Sequence, residues 1–122
     1  MMRRCLIVDD SKIIRMVIRK IVQELGFDID ESADAGHTLE RCLESMPEVI
    51  ILDWKLPGAD GIDLLREVRA LPGGDQTTIL FCTTETEDAH IQDALGAGAN
   101  DYVIKPFDGE TMRAKFASLG LL

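Results

Sequence analysis

Five times along this chain a short apolar run gives way to a longer stretch of helical period, and that alternation constrains the fold more than any other feature. A strand buried on both faces reads as a continuous apolar run, and a crossover helix carries the chain back to lay the next strand parallel. The first unit is Arg4 to Val8, followed by the stripe Ile13, Ile14, Val17, Ile18, Ile21, Val22 and Leu25, with Ser11 placed to cap it and Gly26 to close it. Phe27 to Ser32 alternates apolar and acidic residues, as an edge strand with one wet face should. Asp34 can then cap a second helix through Leu39, Cys42, Leu43 and Met46 that Pro47 ends. Val49 to Leu52 is a fully apolar third strand, and the turn-rich stretch LPGADG leads into a third helix over Gly61 to Arg69, with Asp60 and Asp63 at its start. Thr77 to Cys82 reads as the fourth strand and Glu85 to Leu95 as a fourth helix with acids in its first turn. Asp101 to Ile104 is the fifth strand, and Asp108 caps a last helix carrying Met112, Phe116 and Leu119. The expectation is one α/β domain over residues 1–122, a parallel sheet between two layers of helices.

Charge and composition remove several function classes. With 13 basic against 22 acidic side chains the formal net charge is −9, a field that opposes direct contact with nucleic acid or anionic lipid. No apolar run approaches the roughly 18 residues that a membrane span needs, and MMRRCLIVDD meets acids too soon for a secretory leader. Cys5, Cys42 and Cys82 are odd in number, lack CxxC spacing and sit among apolar neighbours, which fits small hydrophobes in a reducing cytoplasm.

In an open parallel sheet the C-terminal strand ends share one edge, where ligands bind. Asp9 and Asp10 follow the first strand, Asp53 the third, Thr83 and Thr84 the fourth, and Lys105 and Pro106 the fifth. Taken singly, Asp9 or Asp10 fits a helix cap, Lys105 a solvated charge and Tyr102 a half-buried strand aromatic. At one edge they fit together differently. Two carboxylates ~4 Å apart repel by about 4 kcal/mol at an effective dielectric of ~20, so three in one pocket call for a cation. An all-oxygen donor set suits Mg²⁺, whereas zinc would want His or thiolate ligands. With Lys105 as a fixed positive charge and Thr83 as a hydroxyl donor, the edge can hold a tetrahedral anion, and a carboxylate nucleophile there would form an aspartyl phosphate. Asp53, alone at the end of a central strand, is the residue placed for that role.

The stretches IVDDS, ILDWKLPGADG, CTTE and YVIKPF stand in this order at successive strand ends. With them the chain resembles the CheY-like receiver domain of two-component response regulators over essentially its whole length. The resemblance implies a flavodoxin-like (βα)5 sandwich with strand order 2-1-3-4-5. It implies that Asp53 is the phospho-acceptor and also a metal-site residue, that Asp10 binds Mg²⁺ directly and Asp9 through water, and that the backbone carbonyl of Lys55 completes the protein's share of the metal shell. Thr83 is similar to the family's switch hydroxyl, Tyr102 to its partner aromatic, and Lys105 to the lysine that bridges to the phosphoryl group, with the Lys105–Pro106 bond cis. The fourth helix, fifth strand and fifth helix match the family's output face, where Ile91, Leu95, Tyr102 and Lys115 take contact positions. Ile91 and Leu95 also fit simple packing against the sheet.

By the same resemblance the chain is a cytoplasmic single-domain signalling switch that catalyses only its own phosphorylation and dephosphorylation. Its partners would be a histidine kinase or histidine phosphotransfer protein and a downstream protein target, in chemotaxis or another pathway. Its state would be a monomer or a phosphorylation-dependent dimer. An alternative role is a phosphorelay intermediate or phosphate sink that hands the group to a histidine phosphotransfer protein. Thr84 is bulkier than the alanine common at its place, and Lys55 and Glu85 would flank the path of attacking water. Trp54 reads as packing or shielding, and His37 and His90 as surface residues. Three rivals remain. A binding-only receiver would lack an acid or the lysine. A haloacid-dehalogenase-type enzyme wants an acid where Lys55 stands. A flavodoxin-like FMN carrier would not place Asp9 and Asp10 against a phosphate.

Overall fold

In the computed structural model, which describes residues 3–84 and 86–122, the apolar runs lie side by side in the sheet that their pattern predicts. The elements are β1 (Arg4–Val8), α1 (Lys12–Glu24), β2 (Asp28–Ser32), α2 (Ala35–Glu44), β3 (Val49–Asp53), β4 (Lys55–Leu56), β5 (Ala59–Asp60), α3 (Gly61–Arg69), β6 (Thr78–Thr83), α4 (Asp88–Gly96), β7 (Asp101–Ile104) and α5 (Gly109–Ser118). The main sheet is parallel with order β2-β1-β3-β6-β7. Setting aside β4 and β5, which pair only with each other, this is the expected 2-1-3-4-5 order of the flavodoxin-like fold.

Alternate strand residues feed two cores, as the twofold period of a strand requires. Cys5, Ile7, Ile51, Leu80 and Val103 face α1 and α5, meeting Ile18, Val22, Met112 and Phe116. Leu6, Val8, Ile50, Leu52, Ile79 and Phe81 face the other layer, meeting Cys42, Leu64, Leu65, Val68 and Ala94. Register aligns the strand ends: Val8 pairs with Leu52, Asp53 with Cys82, and Thr83 with Ile104. The residues that follow therefore converge on one edge.

Side-chain caps set most helix starts. Ser11, Asp34, Asp60 and Asp108 accept hydrogen bonds from the backbone N–H groups of Ile14, His37, Ile62 and Thr111. Gly26, with φ +94°, follows α1 in the left-handed conformation that glycine tolerates best. Gly61 matters for space: a Cβ there would come within 2.7 Å of the Asp53 carbonyl oxygen and the Trp54 Cα.

Several boundaries differ from the sequence reading. Helix α2 stops at Glu44 instead of running to Met46; the Arg4 guanidinium takes the carbonyl and hydroxyl of Ser45, and Leu43 points to solvent. Helix α4 begins at Asp88, where Glu87 supplies no side-chain cap. Glu85, like Met1 and Met2, lies outside the described residues. Strands β3 and β6 each run one residue further, so Asp53 and Thr83 are terminal strand residues, while Thr77 falls outside β6 and donates its hydroxyl to the Pro47 carbonyl. The turn-rich stretch contains a small antiparallel ladder, Lys55 with Asp60 and Leu56 with Ala59. The Lys105–Pro106 peptide is cis, as expected.

Candidate functional site

Asp9, Asp10 and Asp53 bring one carboxylate oxygen each to within 4.8 Å of the others, at the C-terminal edge of β1 and β3. Asp9 is 2% exposed and Asp53 7%, whereas Asp10 opens to solvent. The two first-strand acids are already divided by their hydrogen bonds. Asp9 Oδ1 accepts from the Ser11 backbone at 2.9 Å and its Oδ2 from Lys105 Nζ at 2.8 Å, so both of its oxygens are engaged. The Arg15 guanidinium, paired to Glu31 at 3.0 Å, also donates to the Asp9 carbonyl at 2.6 Å and braces the loop.

Lys105 reaches both buried acids, with Asp53 Oδ1 at 2.7 Å. Burial raises the Asp53 pKa above its ordinary value; the Lys105 hydrogen bond and charge pull it down, and the Asp9 and Asp10 charges push it up again. For Lys105, burial pulls the pKa down, but the bonds and charges from Asp53 and Asp9 outweigh it and hold the ammonium above its usual range. The donor set here is oxygen only, with one carboxylate open to solvent, and such a set fits a hard, partly hydrated cation such as Mg²⁺. Three carboxylates and one ammonium leave two negative charges to balance, which gives the cation an electrostatic reason to bind.

Thr83, at the end of β6, is 1% exposed, and its Oγ1 lies 3.2 Å from His90 Nε2. That contact corrects the reading of His90 as a surface residue. The imidazole is half-buried and stands edge-on to Trp54, with centroids 4.3 Å apart, and 5.9 Å from Phe81. Its position beside the buried stripe of Ile91 and Ala94 was the available signal. His37 is likewise half-buried, on α2, where it accepts from Arg41 one turn along. Trp54 packs as expected, but its Nε1 is buried without a hydrogen-bond partner among the described residues.

The remaining predicted positions fall on three surfaces. Lys55 is exposed in β4, with its Nζ 5.9 Å from the Trp54 ring. Thr84 is exposed and joins Ile14, Val17, Ile18 and Phe107 around an apolar cavity beside Lys105. Tyr102 is half-buried under Lys115, whose Nζ lies 4.7 Å from the ring and 3.2 Å from Asp101 Oδ1. Ile91 is buried, and Leu95, half-buried, packs against the core beneath α3 and α4. Cys5, Cys42 and Cys82 are free and buried, and burial raises all three thiols, Cys42 to about 11, which leaves them unreactive. No helix among the described residues is long and apolar enough to cross a membrane.

Comparison with known proteins agrees with this geometry. The family model for the response regulator receiver domain matches residues 5–117. The chain is 37% identical over 117 residues to the chemotaxis protein CheY of Pseudomonas aeruginosa, covering 95% of this chain and 94% of that one. It is 34% identical over 113 residues to chemotaxis protein CheY-3 of Vibrio cholerae, covering 92% and 87%. Among solved structures, the chemotaxis response regulator CheY4 of Vibrio cholerae superposes with a TM-score of 0.91 at 30% identity, over 98% of this chain and 99% of that one. An acidic cluster bridged by a lysine at the edge of a 2-1-3-4-5 sheet, matched across nearly the whole chain, makes this protein a member of the response regulator receiver domain family.

Proposed function

We propose that this chain accepts a phosphoryl group on Asp53 from a phosphohistidine donor, with Mg²⁺ held by Asp10 directly, Asp9 through water and the Lys55 carbonyl, and then presents an altered α4-β7-α5 surface to a protein target. Receiver domains of this family accept phosphoryl groups and bind Mg²⁺ at an acidic pocket. The observation that carries the finer reading is the Lys105 ammonium, which spans Asp9 Oδ2 and Asp53 Oδ1. It fixes one oxygen of the acceptor and leaves the other for phosphorus. Attack by that oxygen forms the acyl phosphate as the phosphorus–nitrogen bond breaks, and the bonding pair leaves with the donor imidazole. Lys105 and the backbone-anchored Asp9 keep the acceptor in place while charge moves onto the phosphoryl oxygens. When bound, Mg²⁺ supplies neutralisation of those oxygens.

Thr83 stands at the next strand end, where its hydroxyl can donate to the new phosphoryl group, and Tyr102 and Lys115 lie on the surface that would respond. Beside the acceptor edge, α1 exposes Ile13 (73%), Met16 (59%) and Val17 (49%), an apolar face on which a helical donor can dock. A switch that serves signalling should turn over slowly and show little hydrolysis of small phosphate esters. Incubation with acetyl phosphate and Mg²⁺ tests the reading: intact mass should rise by one phosphoryl group in the wild type and stay unchanged in Asp53→Ala. A full-size rise in Asp53→Ala would remove Asp53 from the role. For the target, a pull-down under phosphorylating conditions should retain a protein with the wild type that Asp53→Ala does not.

A further inference from the structure

We propose that His90 is a positioning residue for the switch hydroxyl: it holds Thr83 in the unmodified protein and must let it go when the acceptor is modified. The inference rests on the receiver reading above. Thr83 Oγ1 and His90 Nε2 are 3.2 Å apart. A threonine hydroxyl has one proton to give. In the imidazole tautomer that carries its proton on Nδ1, Nε2 accepts that proton, and the hydroxyl cannot then donate to a group on Asp53. Binding of a tetrahedral anion at the acceptor and the bond to His90 are therefore in competition.

Packing fixes the ring for this task. Trp54 meets it edge-on with centroids 4.3 Å apart and planes at 77°, and Phe81 lies 5.9 Å away on β6. Both ends of this cluster are tied to the reacting edge. Trp54 follows Asp53 directly and donates its backbone N–H to the Cys82 carbonyl at 3.0 Å, while Thr83 follows Cys82. His90 is the third residue of α4, and Glu87 gives that helix no side-chain cap, so the imidazole is an anchor for its first turn. The buried Trp54 Nε1, without an acceptor among the described residues, leaves the cluster short of its best hydrogen bonding, a cost that rearrangement can relieve. Drawing the Thr83 hydroxyl toward Asp53 thus frees His90 and, with it, the start of α4.

The test uses the intact chain with Mg²⁺ and beryllofluoride as the tetrahedral probe. Nitrogen-15 spectra read the Asp53 amide and the His90 imidazole together. The expected result is an Asp53 response accompanied by a His90 Nε2 shift away from a hydrogen-bonded acceptor. An Asp53 response with an unmoved His90, or an Nε2 that carries a proton in the free protein, overturns the inference alone. An Asp53 amide that ignores the probe overturns the receiver reading and this inference with it. His90→Ala should bind beryllofluoride about fivefold more tightly, the equivalent of one ordinary hydrogen bond no longer in competition. His90→Gln, which puts a polar group back where the imidazole stood but not the ring packing, should return toward wild-type affinity. Equal or weaker binding by His90→Ala would contradict the role.

Discussion

Replacing Asp53 with Asn should make the metal-free protein more stable at neutral pH, although it removes half of an ion-pair bridge. Lys105 Nζ lies 2.7 Å from Asp53 Oδ1, and at an effective dielectric of ~20 that attraction is roughly 6 kcal/mol. Asp9 and Asp10 each hold an oxygen within 4.8 Å of one on Asp53, and each repels it by at least about 3.5 kcal/mol at an effective dielectric of ~20. The two repulsions together at least match the attraction, so the burial of the Asp53 carboxylate sets the sign. Burial is also the leading cause of its raised pKa. The unfolded chain gives up this proton first as pH rises, so stability falls from the ordinary carboxylate range up through the raised native value and stays lower above it. Asp53→Asn lacks that loss. Urea and thermal unfolding in chelator, followed from acid to neutral pH, should show the variant equal to wild type in acid. At neutral pH it should be about 1 to 2 kcal/mol more stable, roughly 3 to 10 °C in Tm. Added Mg²⁺ should narrow the gap, since it stabilises the form that binds it better. A variant less stable than wild type in chelator at neutral pH would refute the reasoning, because Lys105 would then outweigh burial and repulsion together.

Asp10→Asn should weaken Mg²⁺ binding about tenfold more than Asp9→Asn, a difference of about 1.4 kcal/mol, because both Asp9 oxygens are already engaged; the reverse order in a metal titration would contradict the assignment. Gly61→Ala should cost about 1 to 3 kcal/mol and slow phosphorylation, since the new Cβ meets backbone atoms of Asp53 and Trp54 at 2.7 Å. Gly36→Ala, whose nearest contact is the Asp34 side chain at 3.6 Å, is the control and should leave both unchanged or stabilise α2 slightly. Asp34→Ala removes the 2.8 Å cap to the His37 N–H and should cost about 1 kcal/mol, read as a lower Tm with unaltered phosphorylation.

The sheet was legible because Cys5 to Val8, Val49 to Leu52 and Ile79 to Cys82 are buried on both faces and so leave unbroken apolar runs. Helix starts were legible where an aspartate or serine could accept from its own first turn, as Asp34, Asp108 and Ser11 do. Boundaries set by distant partners were not. Arg4 captures Ser45 across 41 positions of sequence and ends α2 early, which no local pattern at Leu43 or Met46 announces. The same limit holds at the site. The strand-end rule brought Asp9, Asp10, Asp53 and Lys105 to one edge, but the sharing of one ammonium between Asp9 and Asp53 depends on the exact placing of residues that stand 96 and 52 positions from Lys105 in the chain. His90 was missed because its place beside the stripe of Ile91 and Ala94 is a weak signal near a helix start, and the Trp54 and Phe81 rings that define its pocket come from other elements.

Asp53 as the phosphoryl acceptor is tested most directly by trapping the acyl phosphate with borohydride after treatment with acetyl phosphate and Mg²⁺. Reduction converts a phosphorylated aspartate to homoserine, and peptide sequencing by mass spectrometry then locates the change. The account predicts homoserine at position 53 alone, dependent on Mg²⁺ and sharply reduced in Lys105→Ala. Homoserine at position 9 or 10 with Asp53 intact, or phosphoryl transfer that survives metal removal unchanged, would contradict it.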